Sequence, residues 1–210
     1  SSRSNIGVCS VDVALSVPNA TLLLFEPNPL NFFHLSSSLK WAYEDGTLGA
    51  DRVIAFPLGA GSARVDTVLY EQKGNTGNGI IGSPLGDARH YLARDNIHVR
   101  PLDTIIRHTL HVELMKVDVQ GYECQVFGGM RKILHHRRVR KIHFEVMPAV
   151  LAKQNCSRDM LVELLHDAGY DVRVAGTARR AAVAWGSKNA LQVPREEETL
   201  YDMEARLHEG

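Results

Sequence analysis

Residues 112–134 change their hydrophobic period once, and this change constrains the fold more than any other feature of the sequence. A short run of mostly apolar residues ends at Gly121, and apolar residues then recur at helical spacing. The pattern predicts a buried strand of a parallel sheet followed by a helix. The apolar strand residues are Val112, Leu114, Met115, Val117 and Val119, and those of the helix are Val126, Met130, Ile133 and Leu134.

Lys116, Asp118 and Gln120 share one side of this strand, because strand side chains alternate. Charged side chains in an apolar strand are costly unless they are paired or solvated. In open α/β sheets a solvated crevice lies at the carboxyl ends of the strands, where Asp118 is expected. Two interpretations stay open: a functional site at that crevice, and a structural Lys–Asp pair that caps the next helix.

The rest of the chain alternates between strand-like and helix-like segments, which predicts an α/β fold with a doubly wound, mostly parallel sheet. The first half reads as a helix over 5–17, a strand over 21–26, a helix to about Ala42 and a strand over 52–56. After the 112–119 strand come a helix over 122–136, a strand over 139–146, an irregular segment from Pro148, a helix over 158–168 with Ser157 as N-cap, and an antiparallel hairpin of 170–174 with 181–185.

The predicted elements form a single domain over residues 1–194, and residues 195–210 are predicted to be a polar tail or an exposed helix. Within the domain, residues 62–100 read as a loop-rich insertion. Val65 to Leu69 alternate like an exposed antiparallel strand, and a long glycine-rich loop follows. A loop of that length in a compact domain is more often a binding loop or lid than filler.

Composition excludes some partners. Lys plus Arg and Asp plus Glu number 24 each, so no overall field favours nucleic acid or an anionic membrane. The basic cluster 135–141 is explained first as cations that complement a helix dipole, and second as a phosphate-binding patch. No apolar run is long enough to span a bilayer, and no signal peptide is visible.

The three cysteines, Cys9, Cys124 and Cys156, have neither metal-ligand spacing nor the pattern of a disulfide framework. This favours a reducing compartment, and we therefore predict a cytoplasmic protein.

Acidic residues end three of the predicted strands: Glu26, Asp118 and Glu145. Because the carboxyl ends of parallel strands meet at one edge of the sheet, the three are expected to face one crevice. An acid at the end of the second strand, about twenty residues after a glycine loop, can bind both ribose hydroxyls of a nucleotide cofactor. Glu26 lies nineteen residues after Gly7. A helix beginning near Asn5 would direct its N-terminus at the anionic part of such a ligand.

Five short motifs occur in order along the chain: Asn5-Ile-Gly7-x-x-Ser10, Phe25-Glu-Pro-Asn-Pro29, Gly74-Asn-x-Gly77, Pro101-Leu-Asp103 and Leu114-Met-Lys-Val-Asp-Val-Gln-Gly-Tyr-Glu123. Together with Phe144-Glu145, this set resembles the FkbM family of S-adenosylmethionine-dependent methyltransferases. The resemblance spans residues 5 to about 146. It implies a Rossmann-like class I methyltransferase fold and methyl transfer to a hydroxyl oxygen of a sugar or other small metabolite.

The resemblance also implies site residues. Asn5 and Gly7 would line the methionine end of S-adenosylmethionine and Glu26 would hold its ribose. Asp118 would lie beside the sulfonium and orient or deprotonate the acceptor hydroxyl. Lys116 would fix Asp118, and Glu123 would be structural. The remaining assignments are Asn28 and Phe56 to the cofactor site and Glu145 to catalysis.

A hydroxyl nucleophile must lose its proton as the new bond forms, which suits a carboxylate or a histidine within hydrogen-bond reach. Asp118 is the first candidate and Glu145 the second, while His90 and His98 near the glycine-rich loop are alternatives. Asp118 and Glu145 could also serve as oxygen ligands of a metal. No ligand spacing demands one, so no metal site is predicted.

The sequence departs from the family pattern at two places. Only Ser1-Ser-Arg-Ser4 precedes Asn5, where the family has a hydrophobic strand, an acid and a Gly-Ala pair. The first central strand is therefore expected to be missing, which would leave unpaired strand edges in mid-sheet. Gln120 stands where the family usually has glutamate, so one negative charge beside Asp118 is absent.

Two alternative functions stay open at this stage. A nicotinamide-dependent oxidoreductase would also use a glycine loop and a strand-end acid, although the glycine pattern is not G-x-G-x-x-G. A methyltransferase-like binding domain that has lost catalysis would retain the fold, because fold alone does not fix function. The expected partner is a small-molecule hydroxyl acceptor, with no nucleic acid and no membrane segment. The sequence does not fix the oligomeric state.

Overall fold

A computed structural model describes residues 8–49, 51–73, 75–84, 86–175 and 200–207. The chain forms two compact units, the first taking in residues 1–60 and 64–100 and the second residues 61–63 and 101–210. The single domain stays a prediction. None of the helices in the described residues is both long and apolar enough to cross a membrane.

The first unit begins with a βαβ arrangement. Helix α1 (Val8–Ser16) leads to strand β1 (Leu22–Phe25), and helix α2 (Pro29–Glu44) connects β1 to strand β2 (Val53–Phe56). The two strands pair in parallel, as the sequence predicts for neighbours joined by a helix. Among the described residues β1 pairs with β2 alone, and the missing central strand stays a prediction. The core of this part consists of Ala14, Leu35, Leu39, Ala42, Leu48 and Val53.

A four-stranded sheet occupies most of the segment predicted to be a loop-rich insertion, so that prediction is wrong. Its strands are β3 (Gly59–Ala60), β4 (Val65–Gln72), β5 (Asn75–Ile81) and β6 (Tyr91–Arg100), in the order β3-β6-β4-β5. Strand β6 runs parallel to β3, and the other pairs are antiparallel. The alternation seen near Val65 extends along all of β4, and its buried face includes Leu69, at 1% exposure.

The second unit contains a mixed sheet in the order β7-β8-β10-β9. Strands β7 (Val112–Val117) and β8 (Val139–Val146) are parallel, while β10 (Tyr201–Leu207) lies antiparallel between β8 and β9 (Tyr170–Val174). The helices are α3 (Glu123–Gly128), α4 (Arg131–His135), α5 (Pro148–Lys153) and α6 (Arg158–Asp167). The mixed α/β fold is confirmed, whereas a doubly wound sheet stays a prediction.

The two faces of this sheet differ in character. One face packs under the helices, where Phe127 of α3 meets Phe144 of β8 edge to face with ring centroids 5.4 Å apart. The other face carries charged side chains. Lys141 pairs with Glu204 at 2.9 Å, and His143 lies between Lys116 and Glu204 in the strand register. Polar residues on this face account for the alternating pattern of β8.

Three predictions about local structure are corrected. The predicted helix over 122–136 is two helices, because Gly128 and Gly129 have low helix propensity and a side chain at Gly129 would overlap the carbonyl of Gly61. The segment from Pro148 is helical, with the proline at a helix start, where its missing N–H costs nothing. Residues 201–207 form strand β10, not a polar tail or an exposed helix.

Strand β10 escaped the sequence analysis because its polar residues dominate its composition. Its alternate residues Met203 and Ala205 are 1% and 0% exposed, which is the period of a half-buried strand. It is the antiparallel partner of β9. The predicted partner of β9, residues 181–185, lies outside the described residues.

Cys124 and Cys156 form a disulfide, which contradicts the expectation of no disulfide framework. Cys124 lies in α3, and Cys156 precedes α6 by two residues. Spacing along the chain does not reveal the pair, because a disulfide depends on distance in space. The Cα atoms of the two residues are 6.0 Å apart. The cysteines therefore no longer favour a reducing compartment, and a cytoplasmic location stays a prediction.

Candidate active site

The carboxyl ends of β7 and β8 bring together the charged residues predicted for catalysis. Lys116 Nζ donates to Asp118 Oδ2 at 2.9 Å. The Gln120 side-chain amide donates to Asp118 Oδ1 at 3.0 Å and to Glu145 Oε2 at 3.1 Å. One amide nitrogen therefore bridges the two carboxylates, an arrangement that the sequence did not predict.

The backbone between β7 and α3 is shaped for this bridge. Gln120 has φ of 52° and Gly121 has φ of 94°, so two successive residues are left-handed. Gly121 packs against Val150 of α5 with no room for a side chain. Left-handed conformation is uncommon for a non-glycine residue and clusters at functional sites, where the surroundings hold it in place.

Burial and neighbouring acids act together on Glu145. Burial raises its pKa above the ordinary value, and the negative charges of Asp118 and then Asp202 raise it further. The charge of Lys116 and the hydrogen bond from Gln120 act in the opposite direction. The site therefore contains a carboxyl group that accepts a proton more readily than a solvent-exposed glutamate does.

Glu123 stabilises the turn between β7 and α3 from its buried side. It is 1% exposed, and its Oε1 accepts hydrogen bonds from the backbone N–H of Gly121 at 3.2 Å and of Val119 at 3.4 Å. Its Oε2 is buried without a hydrogen-bond partner among the described residues. Burial raises the pKa of Glu123 to about 7. These contacts agree with the structural role expected for this residue.

Glu26 directly follows β1 in the first unit. Its Oε1 accepts the backbone N–H of Asn28 at 2.8 Å. Burial raises the pKa of Glu26 to about 7, although the hydrogen bonds from the Asn28 backbone and the Asn31 side chain lower it. A carboxyl group at the end of a parallel strand, with acceptor capacity left on its second oxygen, suits the hydroxyls of a ribose.

Asn28 holds the segment after Glu26 in place. Its Oδ1 caps α2 by accepting the N–H groups of Leu30 and Asn31, and its Nδ2 donates to Glu71 Oε1 at 2.6 Å. Glu71 also accepts from Arg94 Nε at 2.7 Å. Because Asn28 is 3% exposed and both ends of its amide are engaged, the geometry favours a structural role over the predicted cofactor contact.

Glu71 and Arg94 were not predicted from the sequence. Both lie in the segment interpreted as a loop, and an acid or a base in a loop gives no signal of burial. The alternation of β4 offered one, because Glu71 lies two residues after the buried Leu69 and so shares its face.

The other predicted residues have diverse surroundings. Phe56 stacks on Phe25 across the β1–β2 pair, with centroids 4.9 Å apart. The alternative bases are both beside carboxylates: His98 Nδ1 lies 2.8 Å from Asp66 Oδ1, and His90 Nε2 lies 3.9 Å from Asp87 Oδ2. Asn5 and Gly7 fall outside the described residues.

The structure thus brings Lys116, Asp118 and Glu145 together within the second unit, while Glu26 belongs to the first, and its predicted proximity to them stays a prediction. No group of three or more His, Cys, Asp or Glu residues in the described part of the chain is placed to hold a metal ion. The roles assigned to these residues stay predictions as well.

Comparisons with known proteins bear on the family. The methyltransferase FkbM domain model matches residues 6–172. The crystal structure of a methyltransferase FkbM from Methylobacillus flagellatus KT is 16% identical, with a TM-score of 0.55, over 96% of this chain and 41% of that one. A precorrin-6y C5,15-methyltransferase from Geobacter metallireducens GS-15 is 14% identical, over 97% of this chain and 77% of that one, but its TM-score of 0.40 is too low to support an argument. No curated protein sequence matches the chain.

The chain spans less than half the length of the Methylobacillus structure, and at 16% identity that likeness supports the fold alone. The family model extends over most of the 210 residues and includes both the Glu26 segment and the Asp118–Glu145 pair. It favours a methyltransferase over the nicotinamide-dependent oxidoreductase. On this match, the chain belongs to the methyltransferase FkbM domain family.

Proposed function

We propose that this protein is an S-adenosylmethionine-dependent O-methyltransferase that acts on a hydroxyl group of a sugar or another small metabolite. The observation that carries the proposal is the carboxylate pair of Asp118 and Glu145, bridged by Gln120 where two parallel strands end, in a member of a methyltransferase family. Strand ends of this kind are the usual position of ligand sites in α/β sheets.

Glu26 is the residue best suited to hold the cofactor, because its half-buried carboxyl group has acceptor capacity for the ribose hydroxyls. Asn5 and Gly7 would hold the methionine end, and Phe56 offers an aromatic ring to the adenine. S-adenosylmethionine supplies the methyl group when it is bound. The protein contributes alignment of the acceptor and removal of its proton.

Asp118 serves as the general base. Lys116 and Gln120 each donate to one of its oxygens, which orients the carboxylate. Each oxygen still has a lone pair for an acceptor hydroxyl. Glu145 accepts a hydrogen bond from the same Gln120 amide. Its raised pKa suits it to receive the proton that Asp118 takes from the acceptor hydroxyl.

Two substitutions test the proposal. Calorimetric titration with S-adenosylhomocysteine should show binding that Glu26→Ala abolishes. Asp118→Asn should retain that binding but lose at least about a hundredfold in methyl transfer to a panel of hydroxyl acceptors, the usual range for a missing general base. Asp167→Asn is the matched control, since it makes the same change at an exposed position in α6, outside the candidate active site.

The outcomes separate the alternatives. Undiminished binding by Glu26→Ala would remove the ribose assignment, and undiminished turnover by Asp118→Asn would remove the base. A folded protein that binds S-adenosylhomocysteine but methylates no acceptor would favour the binding domain that has lost catalysis.

A further inference from the structure

We propose that the second unit carries a docking surface for anionic phospholipid membranes at the edge of the sheet opposite to the candidate active site. This surface, the basic edge, consists of segments 107–111 and 131–138. Together they contain five Lys or Arg residues and four histidines, and neither segment contains an Asp or a Glu. The proposal is independent of methyl transfer.

The fold joins the two segments, which lie twenty residues apart in sequence. The backbone N–H of Val112 donates to the carbonyl of Arg138 at 2.7 Å. Arg138 Nη1 lies 2.8 Å from His111 Nε2, and the rings of His108 and His136 are 5.6 Å apart. These contacts place the two segments side by side in the second unit.

Helix-dipole compensation does not account for this concentration of charge. Helix α4 has five residues, and only Lys132 and His135 lie in its last turn. The 107–111 segment belongs to no helix. Segment 107–111 therefore brings positive charge to a position where no described helix end requires it.

Nearby carboxylates offset only part of the positive charge of the basic edge. Asp103 accepts the backbone N–H groups of Lys132 and Ile133, and Glu113 pairs with Arg140 outside the two segments. Among the described residues, none of the five Lys or Arg side chains lies within ion-pair distance of a carboxylate. In a chain with no net charge, the basic edge is thus a strong local positive field.

The composition of the basic edge favours a membrane over nucleic acid. Leu110, at 44% exposure, lies among the cations, where it is available for insertion between lipid headgroups. The two segments contain no Phe, Tyr or Trp on which a base could stack. Clusters of about four to eight Lys or Arg beside a membrane-spanning helix or on an amphipathic helix bind anionic lipid headgroups. The basic edge contains a comparable number of Lys and Arg residues.

The location is compatible with catalysis by a docked protein. The basic edge precedes β7 and β8, whereas Asp118 and Glu145 are at their carboxyl ends. Asp118 lies six residue steps after Val112, which corresponds to about 20 Å of extended strand. Docking at the basic edge therefore leaves the candidate active site uncovered.

Vesicle co-sedimentation of the full chain tests the proposal, with vesicles of phosphatidylcholine alone or mixed with phosphatidylserine. Binding should require phosphatidylserine and weaken as salt is raised. The triple variant Arg107→Gln/Arg131→Gln/Lys132→Gln should bind about a hundredfold more weakly, at about 1 kcal/mol for each basic residue near the lipid surface. These side chains are exposed, and thermal unfolding checks that the variant folds.

The matched control is Arg64→Gln/Lys73→Gln/Lys153→Gln, which removes the same net charge from exposed positions outside the basic edge. It should bind like the unmodified chain. Equal binding to both vesicle types, or an equal loss in the control, would overturn the proposal. Tighter binding to duplex DNA than to phosphatidylserine vesicles, lost in the same triple variant, would assign the basic edge to nucleic acid instead.

Discussion

Asn28 Nδ2 lies 2.6 Å from Glu71 Oε1, and both residues are 3% exposed. This hydrogen bond joins the segment that follows β1 to strand β4, forty-three residues further along the chain. Because the backbone N–H of Asn28 donates to Glu26, the contact also fixes the chain around the carboxyl group proposed to hold the ribose.

Replacing Glu71 should therefore destabilise the first unit. Glu71→Gln leaves an N–H₂ group facing either Asn28 or Arg94, both of which are donors, so one buried hydrogen bond is lost. The free energy of unfolding should fall by about 2 kcal/mol, measured by urea unfolding. Glu44→Gln breaks only an exposed i,i+4 pair with Lys40 and should cost about 0.5 kcal/mol or less. Equal effects of the two changes would contradict the structural role of Glu71.

Gln120→Glu should change the pH dependence of methyl transfer. The new carboxylate removes the shared donor and adds a negative charge between Asp118 and Glu145, so the pKa of Glu145 should rise further. The acidic limb of the pH–rate profile should move to higher pH. Gln120→Asn, which is neutral and tolerates left-handed backbone, serves as the control. If the acidic limb did not move in Gln120→Glu, residue 120 would have no influence on the pKa that the acidic limb reports.

The strand-end acids illustrate how much of the site the sequence could predict. The apolar run of β7, interrupted by Lys116 and Asp118, was enough to predict this pair and its position beside Glu145. Both follow from the alternation of strand side chains and from the geometry of parallel sheets. The bridging amide depends on the left-handed backbone of Gln120, which no local pattern indicates. Glu71 and the Cys124–Cys156 disulfide connect residues distant in sequence, so their contacts became visible only in three dimensions.

The fold shows the same division. Elements with one dominant period, such as β1, α2 and α6, were predicted close to their observed bounds. Strand β10 was missed because its buried residues, Met203 and Ala205, are small in number beside its charges. Strand β10 lies antiparallel between β8 and β9, and this position is determined by pairing between strands and not by the local sequence.

Glu123→Gln should become more stable relative to the unmodified protein as the pH rises. The pKa of Glu123 is about 7 in the folded protein, against an ordinary value of 4.5. Its proton-linked stability is thus fully present below pH 4.5 and is lost as pH rises through 7. Glutamine has no such loss. The variant should gain at most about 3 kcal/mol over the unmodified chain between pH 5 and pH 8, at about 1.4 kcal/mol per pKa unit.

Urea unfolding of both proteins across this pH range measures the gain. Glu26 titrates in the same direction and the same range, but it is present in both proteins and cancels from the difference. A difference that does not vary with pH would show that Glu123 is not protonated on folding.

Reduction of the disulfide should lower the free energy of unfolding. Cys124 and Cys156 are 32 residues apart, and a loop of that length corresponds to about 3 to 4 kcal/mol in the chain-entropy description. Reduction under denaturing conditions should release two thiols per chain. The variant Cys124→Ser/Cys156→Ser should have the stability of the reduced protein and no response to reductant. Equal thermal unfolding with and without reductant would contradict the disulfide.

Gly121→Ala should be more damaging than the same change at another left-handed glycine. Gly46 has φ of 78° with nothing within 4 Å of an added Cβ, so Gly46→Ala incurs only the cost of a left-handed alanine, about 1 kcal/mol. At Gly121, with φ of 94°, the added Cβ would also overlap the side chain of Val150. We expect a total loss of about 3 kcal/mol from the added strain of overpacking.

The double variant Gly121→Ala/Val150→Ala separates the two causes. Removing the Val150 side chain relieves the overlap but not the backbone strain, so the double variant should be more stable than the sum of the two single changes predicts. Strict additivity would mean that the contact between the turn and α5 is not what limits residue 121. A favourable coupling would instead establish that α5 holds the turn on which Asp118 and Gln120 are presented, because the residue that tolerates no side chain lies directly after the bridging amide.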